Sequence, residues 1–303
     1  MIMLTKKLQE ALTPSELMIS EPLSAHTTFK IGGPADIFVE PNSPEKLSRV
    51  MQLISEYKAP LTILGSGSNV LVRDGGIRGV VLSLCQLRHV KRRDETTLVM
   101  GAGFMLKEAS EYAWQEGLSG MEFAIGIPGS LGGAVFMNAG AYDGEMSQVV
   151  TRVTAVDRNG EFHTYSGEEC RFAYRHSLFQ DNHEVVAEVE MTLVPGDAKV
   201  IKAVMDDLTE RRESKQPLEH ASAGSTFKRP PGYFAGTLIE QTGLKGLSVG
   251  DAMVSQKHAG FVVNVGTAKA KDVLAVIHEV QRRVKEAHGV DLETEVRLIG
   301  EDE

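Results

Sequence analysis

FAIGIPGSLGGAVFMNAGAYDG, residues Phe123 to Gly144, has neither the charge of a surface loop nor the periodicity of a core helix or strand. Five glycines fall between Phe123 and Tyr142, with no Asp, Glu, Lys or Arg among them. Glycine accepts positive φ and lets main chain come close to a ligand, so repeated glycine in an uncharged run implies backbone wrapped around something. The same run also reads as a buried apolar hairpin with tight turns, and the stretch by itself leaves both readings open.

Outward from that stretch, the 303-residue chain has room for a sizeable core in two or three domains. Its composition is ordinary, 42% apolar and 24% charged. A net charge of −9 argues against general affinity for nucleic acid or acidic membrane surfaces, so an anionic ligand must meet local cations. Cys85 and Cys170 stand in no metal or disulfide spacing, which indicates no structural metal and suits a reducing cytoplasm. MIMLTKKLQEALTP at the start lacks the apolar core of a signal peptide. Phe123 to Tyr142, the one uncharged run of spanning length, is spoiled as a membrane helix by its glycines, Pro128 and Asn138. The expectation is a soluble protein of the cytoplasm with no metal, no membrane or nucleic-acid association and no obligate protein partner.

A first helix is expected to about Leu17, then a short strand at 36–39. Ser43 and Pro44 make a helix start, with Leu47, Val50, Met51 and Ile54 facing a core. LTILGSGSN, 61–69, is an apolar strand running into a turn of small residues, which turns several N–H groups to one point and suits a pyrophosphate; a strand end without ligand reads the same way. Strands are expected at 70–73, 80–84 and 97–100, then GAGF and a helix over 105–116. Neither glycine turn is the GxGxxG fingerprint, because Val70 and Leu71 follow the first and Leu106 takes the third glycine position of the second. VTAVDRNGEFHTY, 153–165, reads as a hairpin through Asn159 and Gly160, and 185–193 as a further strand. Past Pro195 and Gly196, Asp197 caps a helix to about Arg212, with Val200, Val204 and Leu208 on one face and Arg211, Arg212 and Lys215 at its carbonyl end. A helix near 234–242, a strand FVVNV at 261–265 and a helix over 268–288 follow. Thr267 is the expected cap of the last, and Val273, Ile277, Val280 and Val284 its buried stripe. LETEVRLI, 292–299, closes the chain as a strand.

Three places hold polar residues that the local pattern does not require. RFAYRHSLF, 171–179, sets Arg171, Arg175 and His176 among aromatics, where an arginine can grip a carboxylate bidentately or simply lie over apolar surface. SAGSTFKRPPG, 222–232, carries Ser225 with Lys228 and Arg229 nearby; it is no GxSxG elbow, and its serine is either a turn former or a proton donor. In the closing strand Leu292, Thr294, Val296 and Leu298 share one face, with Glu293, Glu295 and Arg297 on the other, which reads equally as a solvated face.

GSGSN after a strand, then GIPGSLGGAVFMNAGAYDGE, YRHSLF, AGSTFKRP and LETEVRL, in this order from about Thr28 to Ile299, resemble the UDP-N-acetylenolpyruvoylglucosamine reductase family. The two glycine-rich segments also resemble the wider class of vanillyl-alcohol-oxidase-like FAD domains. The change of character at Pro195 and Gly196 sets a domain boundary there, and the resemblance implies an α+β fold: a two-part FAD-binding domain of that class, 1–80, with or without a C-terminal segment packed on it, and 81–196, followed by an α/β substrate-binding domain, 197–303. It implies non-covalent FAD, NADPH as hydride donor, and reduction of UDP-N-acetylglucosamine enolpyruvate to UDP-N-acetylmuramate in peptidoglycan synthesis. By the same resemblance Gly65, Ser66, Gly67, Ser68 and Asn69 match the pyrophosphate loop, and Ile127, Gly129, Ser130, Gly133 and Asn138 the second flavin-binding segment. Arg175, preceded by Tyr174, matches the arginine that holds the substrate carboxylate, Ser225 the proton donor, and Glu295 the carboxyl group paired with Arg175 in steadying the intermediate. Lys215 matches a lysine near the substrate phosphates, and Lys228 and Arg229 flank the substrate, Arg229 standing where some members have asparagine. The short interval between Arg175 and Ser225 implies the family's shorter class. The alternatives are an FAD-dependent oxidase of the wider class, which needs neither Ser225 nor Glu295, and a non-catalytic flavin or nucleotide-sugar binder.

Overall fold

The computed structural model describes residues 1–302, which form two compact units. The first comprises 1–19, 37–66 and 79–212; the second comprises 20–36, 67–78 and the chain from Glu213 onward. Helices and antiparallel sheets dominate both.

In the first unit a five-stranded antiparallel sheet orders its strands Phe162–Ser166, Val150–Val156, Val185–Thr192, Thr97–Gly101 and Val90–Arg92. The expected hairpin is its edge, with Val156 opposite Phe162. Its turn is fixed by Asp157, whose Oδ1 accepts from the N–H groups of Asn159 and Glu161, both at 2.8 Å. Alternation along these strands buries Val153, Ala155, Val189 and Met191 in one core with Leu131, Ala134 and Val135 of the helix Leu131–Met137. The helix Pro44–Glu56 starts where Ser43 Oγ accepts from Lys46 N–H at 3.3 Å, and it buries Leu47, Val50, Met51 and Ile54 as its spacing predicts. Strands Leu61–Leu64 and Ile77–Ser83 run parallel, Leu61 opposite Val80, which delivers the chain to the small-residue turn at Gly65.

Two expectations about this unit change. The first helix spans only Ile2–Ala11, because Pro14 cannot continue it. Thr13 and Glu16 instead form a capping box, and the strand Leu17–Pro22 follows. In the helix Ala198–Lys215, Asp197 caps as expected, its Oδ1 accepting from Lys199 N–H at 2.7 Å. The buried stripe is Ile201, Met205 and Leu208, however, packed on Ile125 and Trp114, while Val200 and Val204 face outward.

The second unit is built on the helix Ala270–His288, whose Val273, Ile277, Val280 and Val284 are all buried. Against it lies an antiparallel sheet ordered Ala221–Ser222, Val262–Asn264, Ala252–Val254 and Ser248–Val249. Thr267 does not cap this helix: its N–H and hydroxyl go to Asp251, and the carboxylate of Asp74 accepts from Ala270 N–H at 2.8 Å and Lys271 N–H at 3.1 Å. The closing strand is only Arg297–Ile299, parallel to Val70–Val72. Ahead of it Leu292 and Val296 are buried, but Thr294 is exposed and pairs with Phe227 in an isolated bridge, so the alternation holds in part. No helix among the described residues is long and apolar enough to cross a membrane.

Candidate functional site

The turn Gly65–Asn69 has donors without acceptors. Among the described residues, the N–H groups of Ser66, Gly67, Ser68 and Asn69 donate to no protein oxygen. Ser66 Oγ is buried and has no hydrogen-bond partner. A buried hydroxyl left unbonded is costly, as is a row of unused amides, and both are relieved by an oxygen-rich anion such as a diphosphate. These residues therefore fit the pyrophosphate of FAD. A Cβ at Gly65 would come within 2.6 Å of Ser130 Oγ, so this turn and the second glycine-rich segment meet there.

In that second segment Ser130 is buried and caps the helix Leu131–Met137 by accepting from Gly133 N–H at 3.4 Å. Gly129 O accepts from Leu106 N–H at 2.8 Å, and Leu131 and Gly132 donate to Phe104 and Ala102 at 2.7 and 2.9 Å. Ile127 is half-buried beside them. Asn138, at the helix end with φ 43°, is buried with its amide engaged at both ends: Nδ2 donates to Ala173 O at 3.2 Å, and Oδ1 accepts from Ser147 N–H at 2.9 Å.

That Asn138 bond carries the glycine-rich segment to the arginine. Ala173 and His176 exchange both backbone hydrogen bonds at 3.1 Å, which sets Tyr174 and Arg175 at the tip of a two-residue hairpin. Arg175 sits at φ 54°, a conformation that costs a non-glycine residue about 1 kcal/mol and persists only when its surroundings enforce it. Gln180 does so, its Nε2 donating to Arg175 O at 2.9 Å and Phe136 O at 2.8 Å. The guanidinium carbon lies 5.2 Å from the centre of the Tyr174 ring, and Tyr174 is exposed.

In the second unit, the loop that carries Ser225 is bonded to the segment that carries Glu295, from distant parts of the chain, through Thr226. Thr226 is buried and fixes the loop threefold: its N–H donates to Gly260 O at 2.8 Å, its Oγ1 accepts from Val262 N–H at 2.9 Å, and its O accepts from Glu295 N–H at 2.9 Å. Ser225, one residue earlier, is exposed. His258 supports the same loop, its Nδ1 accepting from Gly260 N–H at 3.1 Å, and burial pushes its imidazole below the usual value and so towards the neutral form. Asn69 grips the strand of Glu295 from the other side, donating from Nδ2 to Glu295 O at 3.3 Å and accepting from Arg297 N–H at 3.0 Å. Lys228 pairs with Glu293 at 3.1 Å, Arg229 stacks 4.0 Å over the Phe234 ring, and Lys215 is exposed. Asp157, Glu161 and His163 are the metal-ligand types that cluster among the described residues, but Asp157 is already the acceptor that fixes the hairpin turn.

Periodicity missed one residue. Arg212 continues the buried stripe Ile201, Met205, Leu208 at the next helical step, whereas its neighbour Arg211 turns outward to Asp207 at 2.9 Å.

Residues 34–166 match the family model of an FAD binding domain, and 216–299 that of the UDP-N-acetylenolpyruvoylglucosamine reductase C-terminal domain. The chain is 51% identical over 299 residues to the UDP-N-acetylenolpyruvoylglucosamine reductase of Clostridium novyi, covering 99% of this chain and 97% of that one. With the same enzyme of Pediococcus pentosaceus it shares 49% over 300 residues, covering 99% and 100%. The crystal structure of the reductase from Thermus caldophilus superposes with a TM-score of 0.79 at 38% identity, over 94% of this chain and 98% of that one. p-Cresol methylhydroxylase shares the fold alone, with a TM-score of 0.58 at 10% identity over 94% of this chain and 87% of that one.

Proposed function

The chain belongs to the UDP-N-acetylenolpyruvoylglucosamine reductase family, and we propose, from that premise, how its residues divide the work of the NADPH-dependent reduction of UDP-N-acetylglucosamine enolpyruvate in peptidoglycan synthesis. FAD, when bound, supplies the hydride path from NADPH to the terminal carbon of the enolpyruvyl group. The N–H groups of Ser66 to Asn69 and Ser66 Oγ would hold its diphosphate. Ile127, Gly129, Ser130 and Gly133 wall it through backbone and packing, and Asn138 positions that wall by tying it to Ala173.

Hydride addition at the terminal carbon drives negative charge onto the adjacent carbon and into the carboxylate. The Arg175 guanidinium holds that carboxylate bidentately and shares the steadying of the charge with Glu295, and Tyr174 stacks on the guanidinium and keeps it in place. Ser225 Oγ then gives its proton to the adjacent carbon, completing the lactyl ether. Lys215, Lys228 and Arg229 supply cations for the substrate's phosphates, which an acidic chain must provide locally. Most of segments 1–80 and 81–196 serves the cofactor and most of 197–303 the substrate. We place the enzyme in the cytoplasm, acting without an obligate protein partner; Cys85 and Cys170 are both free, and burial pushes the Cys170 thiol up to about 12, which keeps it inert.

The observation that supports these roles most directly is the Glu295 N–H to Thr226 O bond, which ties the segment of the proposed carboxyl group to the residue that follows the proposed proton donor. The test is anaerobic. The purified protein is expected to be yellow, to bleach with NADPH, and to regain its colour with UDP-N-acetylglucosamine enolpyruvate. A colourless protein, or a flavin that NADPH leaves oxidised, overturns the reading.

A further inference from the structure

Arg212 is a cation without an anion. Its stem lies on Gly126, where a Cβ would come within 2.6 Å of Arg212 Cδ, so this glycine makes room for the arginine. Ile125, next to Gly126, packs with Ile201, Met205 and Leu208 in the apolar cluster whose stripe Arg212 extends. Among the described residues its guanidinium makes no ion pair and no hydrogen bond; the titratable group beside it is the phenol of Tyr142. Burial lowers the guanidinium from its ordinary value, the Tyr142 phenol opposing, yet an arginine so shifted stays charged. A half-buried guanidinium with nothing to pair it is costly unless a ligand completes it.

Gly126 and Tyr142 both lie in the uncharged run from Phe123 to Tyr142, which offers a flavin no cation of its own. Diphosphate oxygens already have a fitting cradle in the donors of Ser66 to Asn69. What such a wall still lacks is a countercharge for the negative charge an isoalloxazine gains when it accepts a hydride. Resting on the flavin reading above, we infer that Arg212 is a cofactor-pairing residue: it stabilises the reduced, negatively charged flavin over the neutral oxidised one. A fixed cation that is unpaired before the charge develops is the arrangement that stabilises charge without reorganisation at the moment of transfer.

The test is the midpoint potential of the flavin in the holoenzyme, measured by equilibration with a reference dye. Arg212→Met keeps the packing on Gly126 and removes the charge. It should lower the potential by about 30 mV, equivalent to a tenfold loss of preference for reduced flavin in a two-electron couple, with release of oxidised FAD changed less than about twofold. Arg212→Lys should keep most of the wild-type potential. Gly126→Ala, which displaces the stem and leaves the charge, should shift it in the same direction by less, and it stands in if Arg212→Met fails to fold. A wild-type potential in the Met variant, or in Gly126→Ala where that is the variant measured, overturns the inference. Faster loss of oxidised FAD at unchanged potential assigns Arg212 to the diphosphate, weaker NADPH binding at unchanged potential assigns it to the nucleotide, and both outcomes overturn it too. Wild-type protein that takes up no FAD would instead defeat the flavin reading itself.

Discussion

The turns GSGSN and GAGF look alike in sequence, each small residues at the end of an apolar strand, yet the fold treats them oppositely. At Gly101 to Phe104 every N–H is used inside the protein: Gly101 donates to His89 O, Ala102 to Ala187 O, Gly103 to Leu87 O and Phe104 to Gly101 O, all at 2.9–3.1 Å. A Cβ at Gly101 would lie 2.2 Å from Leu87 O. At Ser66 to Asn69 none of the four N–H groups has a protein acceptor among the described residues, and a buried hydroxyl stands unbonded beside them. Glycine lets backbone approach backbone in both turns, a Cβ at Gly67 falling 2.1 Å from His26 O, but only the turn Ser66 to Asn69 leaves its donors for a ligand. A glycine motif thus announces close approach, and only the hydrogen-bond accounting says what approaches.

Generalised, groups left open should govern cofactor and chemistry, and groups closed by the fold should govern stability. Ser225 is open, exposed on a loop pinned by Thr226. Ser225→Ala is expected to slow substrate reduction by roughly 10²–10⁴-fold while leaving bleaching by NADPH nearly intact; equal loss in both half-reactions, measured by stopped flow, would make the serine structural. Gly101→Ala drives a methyl into backbone and should cost about 3 kcal/mol in denaturant unfolding, with FAD affinity of the folded fraction unchanged. Ser66→Ala should do the reverse, weakening FAD by about tenfold through one lost bond to an anionic oxygen, with a melting temperature equal to or above wild type.

The smallest effect belongs to a closed group far from either turn. Glu16 is buried; burial alone would raise its carboxyl, but hydrogen bonds from Lys46, Thr13 and Asn42 outweigh that and hold it at about 2. Because the folded value lies below the unfolded one near 4.3, its contribution is complete above that value and is lost as pH falls through about 2. Glu16→Gln should therefore destabilise the fold at neutral pH, the gap to wild type in denaturant unfolding closing as pH falls from about 4 to about 2, with flavin affinity untouched throughout.

What the sequence conveyed follows the range of the interaction. Leu47, Val50, Met51 and Ile54, or Val273, Ile277, Val280 and Val284, declare their helices by spacing, because the partner of such a stripe need only be apolar. The helix Ala198–Lys215 misleads because two apolar stripes compete, and the packing of Trp114 and Ile125 on Ile201 and Met205 decides between them. The cap of Ala270–His288 is legible only in part: Asp272 accepts from Lys269 N–H nearby, but the carboxylate on the first helical N–H groups is that of Asp74, from far along the chain, in place of the Thr267 hydroxyl. The site shows the same limit. No pattern bonds Thr226, next to Ser225, to Glu295, or ties Asn69 to both Glu295 and Arg297; motif order suggests these segments, and only the folded backbone joins them.

Hydrogen exchange of the protein with and without FAD measures the difference between the two turns directly. The account predicts that FAD slows exchange at Ser66 to Asn69 strongly and leaves Gly101 to Phe104, already bonded, at their slow rates. Unchanged exchange at Ser66 to Asn69 in a protein saturated with FAD would contradict it.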